Sequence, residues 1–251
     1  MSCKKENLQQ SSNSNDGLQP LTAQRTSLHI GVIHNDALVY CYDYLKTMDS
    51  AYQLSLDDKM SIIQTKIAEY LASNNPYNIN ITTINDFYEE SPFTISSGIN
   101  YLNTSQSQRI ATLLSNYTGS KKDLISSVFT AVDASETIDE LRTKLDSIET
   151  QLNVLSDNDA NEVRSFMSVA ENSWIYWVED SGIDNWKQIF KDPSLAERSR
   201  PDIAKAAIKG DIEGAVTGAL TGAGFAGVGA LAGAMIGAPV MSGWSALWAA
   251  F

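Results

Sequence analysis

The chain holds two histidines, His29 and His34, and two cysteines, Cys3 and Cys41, the side chains best suited to metal binding or nucleophilic work. His34 precedes Cys41 by seven positions, two helical turns, so both fall on one face of a helix. Two soft ligands fall short of the three or four that a zinc site takes. His34 therefore reads as a hydrogen-bonded histidine near a helix start, and Cys41, set among apolar residues, as a small buried hydrophobe. The paired acids Asp57-Asp58, Glu89-Glu90 and Glu179-Asp180 are the right type for general acid–base catalysis. Nothing around them in sequence would split their pKa values, and solvated helix ends account for them. The chain contains no GxSxG, no phosphate-loop lysine and no CxxC. Gly222, Gly224 and Gly227 have GxGxxG spacing but follow a glycine-alanine helix rather than a strand, which removes that motif's meaning. No nucleophile, base and orienting group can be assembled, so a protein without enzymatic activity, cofactor or metal is expected.

Two further constellations concern packing. Trp174, Tyr176, Trp177 and Trp186 concentrate aromatic surface in a short stretch. Such residues line interfaces, and they also fill the core between neighbouring helices, the preferred reading here. Near the C-terminus, Gly210, Gly214, Gly218 and Gly222 step by four, and Gly229, Gly233 and Gly237 resume after a step of seven. On a helix these positions form a stripe without side chains, along which another backbone can approach closely. From Gly214 to Gly237, fifteen of twenty-four residues are Gly or Ala, eight of them Gly. Relative to alanine, eight glycines weaken an exposed helix by about 8 kcal/mol. Each larger apolar residue of the stretch offsets this by about 1.5–3 kcal/mol when buried. The segment is thus expected to fold only against a surface: the body, a second copy, or lipid.

No charged residue follows Glu213, leaving 38 uncharged positions. A bilayer span needs about 20 predominantly apolar ones. The large apolar side chains of the ladder together gain only about 2–4 kcal/mol at a membrane centre, so a lone span is marginal. An oligomer of spans, or a hairpin turning near Gly222-Ala223-Gly224, is favoured, with Pro239, Trp244 and Trp248 suited to an interfacial boundary.

Periodicity supplies the elements that must position these residues. Ile33, Ala37, Cys41, Leu45 and Met48 predict a first helix capped by Asn35 or Asp36. A second helix is predicted over 57–71, ended by Pro76. Residues 79–104, with β-branched side chains, Pro92 and Gly98, read as a loop with short extended pieces. Helical spacing returns at Ile110–Tyr117 and Leu124–Val132. Ile138, Leu141, Leu145, Ile148, Leu152 and Leu155 form an a/d seam. Helices over 159–178 and around Trp186, Ile189 and Phe190 complete an all-α reading. The fold class expected is a helical bundle body with a C-terminal Gly/Ala-rich helix or helical hairpin. The organisation is a tether at 1–27, a body at 28–200 and a glycine-zipper tail at 201–251.

Net charge is −12, with 18 basic against 30 acidic residues. No basic cluster interrupts that balance, which argues against a nucleic-acid partner. The opening MSCKKENLQQSSNSND resembles the mature end of Bacteroidota lipoproteins, in which a lipobox ends in Ser-Cys and Lys-Lys-Glu follows. The polar tract that follows reads as a flexible tether. The resemblance implies that Cys3 carries lipid after removal of a signal peptide, and that the protein is anchored to a membrane of the bacterial cell envelope, at the outer membrane or cell surface. HNDAL at 34–38, SWIYW at 173–177 and the glycine ladder resemble a group of lipoproteins and secreted proteins of the same bacteria, which implies no particular activity. The ladder alone resembles glycine-zipper segments of membrane-active, bacteriocin-like peptides. The expected function is a lipid-anchored envelope protein whose tail serves close helix packing, membrane association, a protein partner or a homo-oligomer. The alternative is a toxin-like protein whose tail inserts and oligomerises.

Overall fold

The computed structural model describes residues 29–48, 51–90, 92–180, 182–189 and 200–249; the tether and Cys3 lie outside them. The described residues form eleven α-helices and no strand, the all-α bundle expected. In chain order these are α1 (Ile30–Lys46), α2 (Leu56–Asn74), α3 (Ile81–Tyr88), α4 (Ile95–Leu102), α5 (Gln106–Leu114), α6 (Gly119–Asp133), α7 (Ile138–Glu149), α8 (Asp157–Trp174), α9 (Gly182–Ile189), α10 (Arg200–Gly224) and α11 (Ala230–Ala249). A π turn, Ile175–Glu179, continues α8 directly.

Local chemistry explains most of the boundaries. Ser55, Thr137 and Ser156 accept from the amides of Asp58, Glu140 and Asp159, so α2, α7 and α8 begin at capped termini. The 79–104 stretch corrects the sequence reading, because it forms α3 and α4 rather than a loop. Asn80 and Thr94 cap these helices by accepting from the Thr83 and Ser97 amides, and Ile84, Phe87 and Leu102 are buried. Side-chain caps and tertiary burial outweigh the weak helix propensity of β-branched residues. Helix α1 also differs from expectation, since Asn35 and Asp36 lie inside it. Its cap is His29, left-handed at φ 52° and without a side-chain cap bond. An early amide of α1 is satisfied instead from across the bundle, where Gly31 N–H donates to Ser168 Oγ of α8 at 3.3 Å.

The C-terminal segment is the centre of the molecule. Every residue from Gly210 to Ala219 and from Ala232 to Leu247 is buried. Helix α10 packs against α5, α6 and α8, while α11 packs against α1, α2, α4 and α8. The apolar residues of 203–247 belong to the same core cluster as those of α1 to α9. Helices apolar on all sides require such a setting.

The glycine stripe is occupied from within. A methyl group added to Gly214 would lie 2.6 Å from the Gly237 carbonyl oxygen, and one on Gly222 would lie 2.5 Å from that of Gly229. Gly218 and Gly233 approach each other reciprocally, and Gly210 meets the Ser245 side chain. Carbonyls of one helix thus face the α-carbons of the other, the geometry of Cα–H···O contacts worth about 0.5–1 kcal/mol each. The step of seven is not two turns of one helix, because α10 ends at Gly224 and α11 begins at Ala230. The intervening turn lies at 225–229, slightly later than expected, and holds Gly227 and Gly229 at positive φ. The ladder is two antiparallel stripes facing one another.

This geometry separates glycines of similar sequence context. Gly218→Ala should destabilise by about 1–3 kcal/mol in chemical denaturation, since the neighbouring backbone must be displaced. Gly224→Ala, with nothing within 4 Å of the added methyl, should be neutral or slightly stabilising. Equal losses at both positions would contradict the zipper.

Candidate functional site

A cluster of buried polar residues lies along α10 and around it. Asp211 and Glu213 flank the glycine stripe, next to Gly210 and Gly214, and both side chains are fully buried. Glycine at 210 and 214 lets α11 close over this part of α10 and brings Ser242 to Asp211. The close α1–α8 contact at Gly31 brings His34 and Asn35 beside the last turn of α8. The π turn, which widens the helix by a residue per turn, delivers Trp177.

These elements enclose a small polar chamber. Trp177 Nε1–H donates to Asp211 Oδ2 at 2.8 Å, and His34 Nε2 stands 3.4 Å from the same oxygen. His34 Nδ1 meets Asn35 Oδ1 at 2.9 Å. The Asn35 amide is oriented by donating from Nδ2 to the Asn172 carbonyl at 2.9 Å. With its oxygen toward the ring, Asn35 needs a proton on Nδ1, so the neutral imidazole turns its Nε2 lone pair to Asp211. The Ser173 and Ser242 hydroxyls face the carboxyl and favour its charged form. Neither hydroxyl, nor Oδ1 of Asp211, nor Nε2 of His34 makes a hydrogen bond of regular geometry.

Burial sets the protonation of this pair. It pushes the Asp211 carboxyl up from 3.8 to about 8, against the lowering effect of Ser242, Ser173 and Trp177, with neighbouring Glu213 raising it further. Burial lowers His34 from 6.5 to about 4, against its bond to Asn35. At neutral pH the chamber therefore holds a neutral carboxylic acid beside a neutral imidazole.

Two residues along α10 the solution is opposite. Arg109 Nε donates to Glu213 Oε2 at 2.7 Å and Nη2 donates to Oε1 at 3.3 Å. The Tyr101 hydroxyl adds a bond to Oε2 at 2.7 Å, and the guanidinium stacks 4.9 Å from the Tyr101 ring. Glu213 is a charge-paired carboxylate. A separate cleft of about 370 Å³ opens beside this pair, lined by Thr104, Gln106, Arg109, Ser245 and Trp248 among others. Its charged residue is engaged, with Nη1 donating to the Thr104 carbonyl at 2.7 Å.

The residues singled out from sequence are only partly brought together. His34 and Cys41 share the buried face of α1. Burial pushes the Cys41 thiol up, which leaves it unreactive. Among the described residues no three His, Cys, Asp or Glu side chains could hold a metal ion. Asp57, Asp58, Glu89, Glu90, Glu179 and Asp180 are all exposed. Trp174, Trp177 and Trp186 are each 2 % exposed and serve the core rather than an outer contact surface. Trp186 Nε1–H donates to the Tyr176 hydroxyl at 2.8 Å. Trp244, expected at a membrane boundary, is buried and donates from Nε1 to the Met60 carbonyl at 3.1 Å. Sequence reasoning missed Asp211, Glu213 and Arg109. The available signal was acidic residues flanking a side-chain-free stripe, since burying the stripe drags its neighbours inside.

The two shifts have opposite consequences for stability. Asp211, raised from 3.8 to about 8, contributes stability that is full at low pH and lost as pH climbs through that window. His34, lowered from 6.5 to about 4, contributes stability that is full above 6.5 and lost as pH falls. They oppose each other between 4 and 6.5, and from 6.5 to 8 only Asp211 titrates. Thermal melts should show the parent losing stability over that upper window at up to about 1.4 kcal/mol per pH unit. Asp211→Asn should remove that slope; an identical slope in the variant would contradict the neutral acid. No protein-family model, curated protein or solved structure matches the chain, so the functional reading rests on these residues.

Proposed function

We propose that this is a non-enzymatic, lipid-anchored cell-envelope protein whose helical body sheathes a glycine-zippered hairpin that engages membrane. The observation carrying this reading is the placement of the longest uncharged stretch of the chain. Gly214 to Ala249 forms a hairpin whose halves are joined through their own backbones and surrounded by the amphipathic helices of the body. Because the zipper is satisfied within the hairpin, the pair is a unit that can change its outer surroundings without unzipping. A second copy is not needed to fill the glycine stripe, which favours lipid over a homo-oligomer as the hairpin's partner. A catalytic reading lacks support: among the described residues the His34–Asp211 pair is sealed from solvent, and neither facing serine hydroxyl makes a hydrogen bond to a base.

Anchoring depends on Cys3. Expressed from its own locus, the protein should incorporate a fatty-acid probe, and Cys3→Ser should not; equal labelling of the two overturns the anchor.

A second reading, a membrane-active protein whose hairpin inserts and assembles, is favoured by α11. Its Ala230–Trp248 window is long and apolar enough to cross a bilayer, with a mean hydropathy of 1.3, and 89 % of it is buried inside the fold. Buried core helices meet the same criteria, so the test is functional. Purified full chain should release dye from liposomes, and Gly233→Leu, which splays the zipper, should suppress release. No release from the parent, or equal release from the variant, counts against insertion.

A further inference from the structure

The sealed chamber around Asp211 is unexplained by packing alone. A core position on α10 holds an ionisable group whose second oxygen has no hydrogen bond, facing two serines and an imidazole nitrogen that lack them too. We propose that the Asp211 carboxyl is the latch of the hairpin: neutral, it seats α10 in the chamber, and ionised, it drives α10–α11 out of the body onto a lipid bilayer. This rests on the reading of the hairpin as a membrane-engaging element and adds what controls it.

The chamber is shaped for a neutral acid. Its fixed donor to the carboxyl is the Trp177 indole. The nearest ring nitrogen presents a lone pair, since the proton sits on the side bonded to Asn35. A lone pair accepts from a carboxylic acid and repels a carboxylate. The groups facing Asp211 can be named element by element. They are His34 from α1, Ser173 from α8, Trp177 and the raised Tyr176 phenol from the π turn, Ser242 from α11, and Glu213 from α10 itself. Cys41 and Tyr42 of α1 act in turn on the Tyr176 phenol. Among the described residues no lysine or arginine pairs with Asp211, and Arg109 is committed to Glu213. Ionisation would leave a buried carboxylate with one N–H bond, two serine hydroxyls outside regular hydrogen-bond geometry and an acidic neighbour, where neither solvent nor a cation compensates the burial.

Position on the chain gives the latch its direction. Asp211 and Glu213 stand at the head of the uncharged run. With the residues after Glu213 in hydrocarbon, both acids would rest at the water boundary, where a charge is solvated. The arm of α10 that follows Glu213, residues 214–224, is about 16 Å of helix, so a hairpin seated with both acids at the boundary enters about half of the hydrocarbon thickness and leaves Trp244 and Trp248 of α11 near the same boundary. Away from the zipper the hairpin carries Val216, Leu220, Leu231, Met235 and Ile236, side chains compatible with lipid, and its backbone bonds stay satisfied during transfer.

The test is flotation of the full chain with vesicles of phosphatidylethanolamine and phosphatidylglycerol between pH 6 and 9. The bound fraction of the parent should rise about tenfold, with its midpoint in the upper half of that range, while Asp211→Asn should stay at the parent's pH 6 level. Trp177→Phe removes the donor that favours the carboxylate, so its midpoint should move up by about one pH unit. A pH response in Asp211→Asn equal to the parent's overturns the latch. Binding by parent and variant alike at every pH leaves the membrane reading standing and removes the latch; no binding at any pH removes both. Should circular dichroism show Asp211→Asn unfolded, Trp177→Phe decides, and an unshifted or lowered midpoint overturns the proposal.

Discussion

Close approach of two helix backbones is the constraint from which the rest of this structure follows. Gly214, Gly218 and Gly222 on α10 meet Gly237, Gly233 and Gly229 on α11, and at each meeting a carbonyl occupies the place a side chain would need. A hairpin of this composition has little reason to be helical in water, because glycine adds chain entropy and alanine little burial. Two conditions make it persist: the halves touch along their whole length, and other helices enclose the outside. The body is arranged to satisfy the second. Gly98 allows the Trp244 ring of α11 to rest against α4, and Gly243 allows Ile63 of α2 to approach α11. Removal of side chains inside the hairpin and at its contacts with the sheath is therefore one device used at several radii.

Close packing also determines which polar groups become buried. The stripe cannot be enclosed without enclosing its neighbours in the helix, and on α10 those neighbours include two acids. The fold handles them by contrasting means. Glu213 receives a bidentate guanidinium and a phenol hydroxyl. Asp211 receives an indole N–H, two hydroxyls in poor geometry and a neutral imidazole. The first arrangement stabilises a charge, and in the second burial outweighs the three donors that favour one. Opposite faces of one helical turn thus carry an ion pair that holds α5 to the hairpin and a protonated acid that joins α1, α8, the π turn and α11.

Legibility from sequence varied with the kind of force at work. Helices α2, α7 and α8 were visible because an apolar stripe of helical period records burial on one face, and that record is local. Helices α3 and α4 were not, because β-branched residues and a proline hid them, and their stability comes from the Asn80 and Thr94 caps and from contacts with distant elements. The start of α1 is set in the same non-local way, since its amide finds Ser168, 137 residues away in sequence. The chamber was less legible still. His34 stands out by its residue type, whereas Asp211 sits 177 positions later in a glycine-rich stretch where nothing local marks an acid as buried.

What the sequence determined by itself was therefore a matter of period and composition: an all-helical chain, a side-chain-free stripe that had to be covered, and a C-terminal segment too poor in large side chains to stand alone. Tertiary structure decided what covers the stripe, which is the other half of the same segment, and where the pair resides, which is the middle of the bundle. It also decided that Asp211 and His34 meet and that each is neutral there. The physical reason is that periodicity encodes which face of an element avoids water, while the identity of the opposing face and the protonation of a buried group depend on long-range contacts and desolvation. Those exist only once the chain has closed.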